Sequence, residues 1–211
     1  MVRSLSDNNY SNHTMTLTGQ GYVTAAPDTA VIRLGVRTTG YNVSQIQSDN
    51  AQSMKEVIQA LNLLGITEIK TVQYLIDQLY EYQEGKQIDK GYEVKHIVQI
   101  QTDKLNEVGK IIDTVVSAGS NLIEAISFEL SEPALFYQQA LNNALNNAVD
   151  KAKSISDTLH TRLNPVPIRI LENSIPPVPF LFTPRGAATT PIIPGGLSVE
   201  AFVTVDFAYT D

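Results

Sequence analysis

Cysteine and tryptophan are both absent from the 211 residues, and histidine occurs three times. Without cysteine there is no disulfide, no thiolate metal ligand and no thiol nucleophile. The histidines, His13, His96 and His160, fall in three separate segments with no HExxH or other close pair, so the spacing offers no metal site. Positive charge is in deficit: 15 Lys+Arg against 22 Asp+Glu give a net charge of -7. That balance excludes phosphate-backbone affinity as the main source of binding, and nucleic acid is not an expected partner. Long apolar runs are missing too. The least charged stretch, residues 173–199, carries only Arg185, but its six prolines preclude a spanning helix, so no transmembrane segment is expected. No apolar segment follows Arg3, which reads as a cytoplasmic location, with export as the alternative if a leader has been removed. GxSxG, P-loop and kinase signatures are lacking and the carboxylates occur mostly singly. The expectation is therefore a protein that is not an enzyme, with no catalytic residue, no cofactor and no metal.

What is present is an ordinary globular composition, 43% hydrophobic and 18% charged. Residues 1–14 are Ser/Asn-rich and aperiodic and read as a flexible arm; residues 15–211 read as one domain. From Met15 to Val23 apolar and polar residues alternate, and Ile32, Leu34 and Val36 repeat the pattern after Ala26-Pro27-Asp28, which suggests a first hairpin. Ile46, Asn50, Met54, Val57, Leu61 and Leu64 recur at helical spacing up to Gly65. A second, long hairpin is expected from Ile69 to Ile100 with its turn at Glu84-Gly85-Lys86. Asp103 is the expected N-cap of a second helix, and Ser131-Glu132-Pro133 the start of a third. The third helix presents Tyr137, Leu141, Ala144, Ala148, Ala152, Ile155 and Leu159, and its alanines imply a closely packed partner. Strands are expected around Val166–Ile170 and Val199–Phe207. The fold class is α+β: an antiparallel or mixed sheet of about seven strands with three helices, in the order ββαββαβαββ.

Four features invite a functional reading. Gly19-Gln20-Gly21 begins like a dinucleotide fingerprint, but Thr24 stands where the third glycine belongs and the segment alternates as a strand, so close backbone approach or a bulge is the better role. His96 lies on the apolar side of its strand, where a satisfied core or edge histidine is commoner than a general base. Asn50, on an apolar helix stripe, must find partners for a buried amide; it pins the helix to backbone or, with Tyr92, contacts a ligand. The fourth is the loop at residues 174–196, with six of the ten prolines. Its apolar residues Phe180, Leu181, Phe182, Ile192 and Ile193 are kept out of regular elements by proline, and either fold back on the sheet or form an interface between copies of the chain.

The order of Gly19-x-Gly21, Pro27-Asp28, Asn50, Gly65-Ile66, Thr71, Tyr80, Gly91-Tyr92, Gly119, Phe128-x-Leu130-Ser131, Ala140-Leu141, Ala144 through Lys151-Ala152, and Pro194-Gly195 resembles the SIMPL-domain family over residues 15–208. The long helix reads Val149-Asp150-Lys151-Ala152-Lys153 where relatives are often Arg-rich, and Thr161-Arg162-Leu163-Asn164 replaces a usual Leu-Gly. The resemblance implies no established active site. Bacterial relatives include a periplasmic immunogenic protein and an oxidative-stress defence protein, and one assembles into ring-like, channel-shaped oligomers. The mammalian kinase-adaptor role does not carry over, since no motif for it is present. The combined expectation is a self-assembling homo-oligomer, a scaffold or stress-related component. The alternative is a small-molecule binding module with a pocket between sheet and helices.

Overall fold

The computed structural model describes residues 13–173, 180–182 and 195–211. The elements run β1 (His13–Ala25), β2 (Thr29–Gly40), α1 (Val43–Leu63), β3 (Ile69–Gln83), β4 (Lys86–Thr102), α2 (Val108–Ser117), β5 (Leu122–Glu129), α3 (Pro133–Leu159), β6 (Arg162–Leu163), β7 (Arg169–Glu172), β8 (Phe180–Phe182) and β9 (Leu197–Thr210). The α+β class holds, and the order ββαββαβα is as expected. Four strands then follow instead of two, making nine among the described residues. They form two sheets, with every strand pair antiparallel.

The chain divides into two compact units, one comprising Met1–Ala25, Glu132–Val178 and Leu197–Asp211, the other Ala26–Ser131 and Pro179–Gly196. The expected β1–β2 hairpin does not form. β1 pairs along its whole length with β9, from His13↔Tyr209 to Ala25↔Leu197, whereas β2 lies between β4 and β5. Alternation identifies a strand and its inward face, but not its partner.

In the first unit β9 is flanked by β1 and the short β6 and β7, and α3 covers the sheet. The helix buries Ala140, Ala144, Ala148, Ala152 and Ser156, a strict i, i+4 stripe, while Leu159 of the expected stripe is exposed. The reason lies in β1. A Cβ on Gly19 would sit 2.0 Å from the Ala144 carbonyl oxygen, and one on Gly21 2.1 Å from that of Ala140. Glycine against alanine lets helix backbone meet strand backbone, so bulkier helix residues are displaced to the flanks. The close-approach role expected of these glycines is observed.

In the second unit the strand order is β3-β4-β2-β5-β8. Ile32 and Leu34 face Ile100 and Val98 across the β2–β4 ladder, and Val36 faces the half-buried His96. Ile32, Leu34, Val36, Val98 and Ile100 make the core with Met54, Val57 and Leu61 of α1 and Val108, Ile111 and Val115 of α2. Gly65, with φ 78°, ends α1 as expected. The β3–β4 hairpin also forms as expected, and Glu84 and Gly85, both at positive φ, make its two-residue turn. Two expected caps do not form. Asp103 precedes a short 3-10 turn, Leu105–Glu107, and α2 begins only at Val108. Pro133 opens α3, but Ser131 gives its hydroxyl to Asp28 instead of to the helix.

Candidate functional site

A cleft of the second unit measures about 510 Å³ and is lined by Ala26, Pro27, residues 103–107, Gly195 and Gly196. Strand pairing builds it: Ala30 pairs with Thr102, so the approach to β2 and the exit from β4 lie side by side. The Lys104 N–H donates to Thr102 Oγ1 at 3.1 Å, and the Leu105 N–H to the Asp103 carbonyl at 2.9 Å, which shapes the wall. Lys104 Nζ donates to the Leu64 carbonyl at 3.2 Å and so also caps the end of α1. A smaller depression of about 290 Å³ shares Asp103 and Lys104 and adds Thr29, Gly65–Glu68, Gln101 and Thr102. The larger cleft offers two carboxylates, one ammonium and one amide, with no hydroxyl or imidazole among its described lining residues. Its chemistry is hydrogen bonding and charge, suited to a small polar molecule. Among the described residues no group of three or more His, Asp or Glu is placed to hold a metal ion.

Asn50 and Tyr92 line neither depression. Asn50 is fully buried, and its Nδ2 donates to the Val36 carbonyl at 3.0 Å, to Thr38 Oγ1 at 3.2 Å and to the Val94 carbonyl at 3.3 Å. One amide thereby ties α1 to β2 and β4 at once. Its Oδ1 has no partner among the described residues. Tyr92 is half-buried on β4, opposite Gly40 and Gln78. His96, also half-buried, lies 3.2 Å from Thr71 Oγ1 and packs edge-on against Tyr74; burial holds its imidazole pKa below the ordinary value.

Phe180, Leu181 and Phe182 were expected outside regular structure, and here the structure differs. They form β8 and pair with Phe128, Ser127 and Ile126 of β5. The three residues between Pro179 and Thr183 contain no proline, so each keeps the N–H a ladder needs. Ile192 and Ile193, with the rest of the proline-rich segment except β8, Gly195 and Gly196, lie outside the described residues, as do residues 1–12 of the expected arm. His13 and Thr14 already belong to β1.

Three arrangements escaped the sequence. Asp28 binds Ser131 across 103 residues of chain. Arg37 pairs with the buried Glu93, while the Asn121 side chain exchanges two hydrogen bonds with the Arg37 backbone, accepting at 2.7 Å and donating at 2.8 Å. Asn143, Asn147 and Lys151, at i, i+4 spacing on α3, bind the Tyr22 carbonyl, the Gln20 N–H and the Thr18 carbonyl of β1. That spacing is the one signal that was available beforehand; the other partners are distant in sequence.

The sequence profile of the SIMPL family, described as proteins of unknown function (DUF541), matches residues 15–207. The chain belongs to this family. Relatives of this SIMPL protein include the 26 kDa periplasmic immunogenic protein of Brucella melitensis biotype 1, 30% identical over 171 residues, covering 78% of this chain and 68% of the relative. The protein of the same name from Brucella abortus strain S19 is also 30% identical. The uncharacterized protein YggE of Escherichia coli K12 is 26% identical over 150 residues, covering 70% of this chain and 61% of YggE. These relatives are named as immunogenic or uncharacterized proteins, not as enzymes. The word periplasmic overturns the cytoplasmic location expected of this SIMPL protein, because it points to export. Among the described residues no helix is long and apolar enough to cross a membrane.

Proposed function

We propose that this SIMPL protein is an exported, non-enzymatic protein that assembles with copies of itself and serves as a scaffold or stress-related component. The observation that carries the reading is the surface of β3. Val72, Tyr74, Leu75 and Ile76, consecutive but for Gln73, are 37–47% exposed. A run of large apolar side chains open to water on one strand favours association, because covering it removes apolar area from solvent. Phe180, Leu181, Phe182, Ile192 and Ile193 remain a candidate second contact. Light scattering of the full chain at micromolar concentration tests the reading. A strict monomer ends it, and an oligomer weakened by Ile192→Asp/Ile193→Asp assigns part of the contact to the proline-rich segment.

The cleft beside Pro27 favours a second reading, a small-molecule binding module. Its volume suffices for a metabolite-sized ligand, and Asp103, Lys104, Asn106 and Glu107 supply convergent polar groups. Ligand-observed NMR against a panel of amino acids, polyamines and dicarboxylates is the test. Binding abolished by Asn106→Trp, which fills the cleft, supports this reading; binding indifferent to it ends it.

A further inference from the structure

We propose that the free edge of β3 is a strand-pairing interface for a second copy of this chain, joined antiparallel about a two-fold axis. The inference rests on the self-assembly reading and assigns its contact surface. β3 is 15 residues long and stands at the end of its sheet, paired among the described residues with β4 alone. An edge strand turns every second residue's N–H and C=O away from its neighbour, a template for another strand.

The protein treats its two long edges differently. On β1, the groups at Thr18, Gln20 and Tyr22 are met by Lys151, Asn147 and Asn143 of α3, which blocks strand addition there. On β3 no side chain among the described residues bonds the edge backbone, the strand contains no proline, and its exposed side chains include Val72, Leu75 and Tyr80. The ladder to β4 shifts register at Thr71/Gln73 and at Gln78/Tyr80, which leaves Gln73–Gln78 as the regular stretch of an apolar edge that a second strand can meet.

Charge selects a second copy in antiparallel orientation. Lys70 lies towards the start of β3 and Asp77 beyond its middle, and neither forms an ion pair among the described residues. Their β4 partners, Gln99 and Glu93, are six residues apart, so both side chains emerge on one face. Asp77 stands opposite Glu93, whose charge Arg37 already meets, so Asp77 keeps an uncompensated carboxylate for a cation arriving on the open side. Glu81 is already neutralised by Lys90 at 2.6 Å. A two-fold antiparallel copy brings each Lys70 towards the other's Asp77, twice over, whereas a parallel copy sets like beside like.

Sedimentation and light scattering of the full chain and four variants test this. Lys70→Glu and Asp77→Lys should each raise the dissociation constant about tenfold, and the double swap Lys70→Glu/Asp77→Lys should restore it. Leu75→Lys should weaken association while leaving the melting temperature of the dilute monomer unchanged. A wild type that stays monomeric ends the self-assembly reading and this interface with it. An oligomer unaffected by the single charge variants and by Leu75→Lys ends the β3 interface alone. Single variants that weaken association without rescue by the double swap exclude the antiparallel arrangement.

Discussion

Asp28 accepts two hydrogen bonds from Ser131, one from its backbone N–H and one from its hydroxyl, both at 2.7 Å. The contact fastens the start of β2 to the exit from β5, beside the backbone bond from the Asp28 N–H to the Glu129 carbonyl at 3.1 Å. Hydrogen bonding by the Ser131 hydroxyl, then by its N–H, holds the Asp28 carboxyl below its ordinary value of 3.8.

A carboxyl whose folded pKa is depressed contributes stability above its unfolded pKa and loses it as pH falls through the folded value. Asp28→Ala should therefore melt below wild type at neutral pH, and the gap should close as pH is taken below 3.8. Thermal melts from pH 7 down to the acid transition provide the check. A gap of constant size throughout would assign the loss to packing instead of ionisation.

Asn50 gives its amide protons to two buried carbonyls and to Thr38. Asn50→Ala should cost about 2 kcal/mol, the scale for stranding buried polar groups. Asn50→Asp should cost more, because it sets a carboxylate oxygen against the carbonyls of Val36 and Val94. Urea unfolding gives the order; an Asp variant as stable as the Ala variant would contradict the donor role.

Gly21 and Gly85 should respond to alanine for different reasons. At Gly21 the added Cβ would lie 2.1 Å from the Ala140 carbonyl oxygen and 2.4 Å from the Ala144 nitrogen, both helix backbone, so α3 must move. The cost should reach about 3 kcal/mol. Gly85 meets nothing within 4 Å but sits at φ 78°, and Gly85→Ala should cost about 1 kcal/mol from backbone conformation alone. Equal destabilisation in chemical denaturation would refute the distinction.

The polar ladder from α3 to β1 should govern local opening at that edge. Asn147→Ala removes the acceptor that the Gln20 N–H meets at 3.2 Å. Amide exchange at Gln20 should then accelerate about fivefold, for a net hydrogen bond of about 1 kcal/mol. The triple variant Asn143→Ala/Asn147→Ala/Lys151→Ala should also aggregate through β1. Unchanged exchange at Gln20 would show that the ladder does not protect the edge.

Much of the local structure was legible before the fold. The α1 stripe from Ile46 to Leu61 is buried as expected, the turn at Glu84-Gly85 closes β3 onto β4, and Gly65 ends its helix. Gly19 and Gly21 also showed a need for close approach, though not that Ala144 and Ala140 would answer it. Failures occurred where the competing partner was far away. Ser131 reads locally as a helix cap, yet Asp28 outbids α3 for its hydroxyl. Val166, Ile168 and Ile170 read as one strand, yet all three are exposed and only Ile170 lies in a strand, β7.

By itself the sequence determined the periodicities, the turns, the α+β class and membership of the SIMPL family, because each depends on residue order over short distances or on a pattern along the chain. Tertiary structure decided that there are two sheets, that β1 joins β9 across nearly the whole chain, which strand edge is covered and which is open, and that the cleft forms around Pro27 and residues 103–107. Period-two alternation is the same whichever strand lies alongside, so pairing, edge exposure and cavities follow from which faces are buried together, a choice made only when the chain is packed.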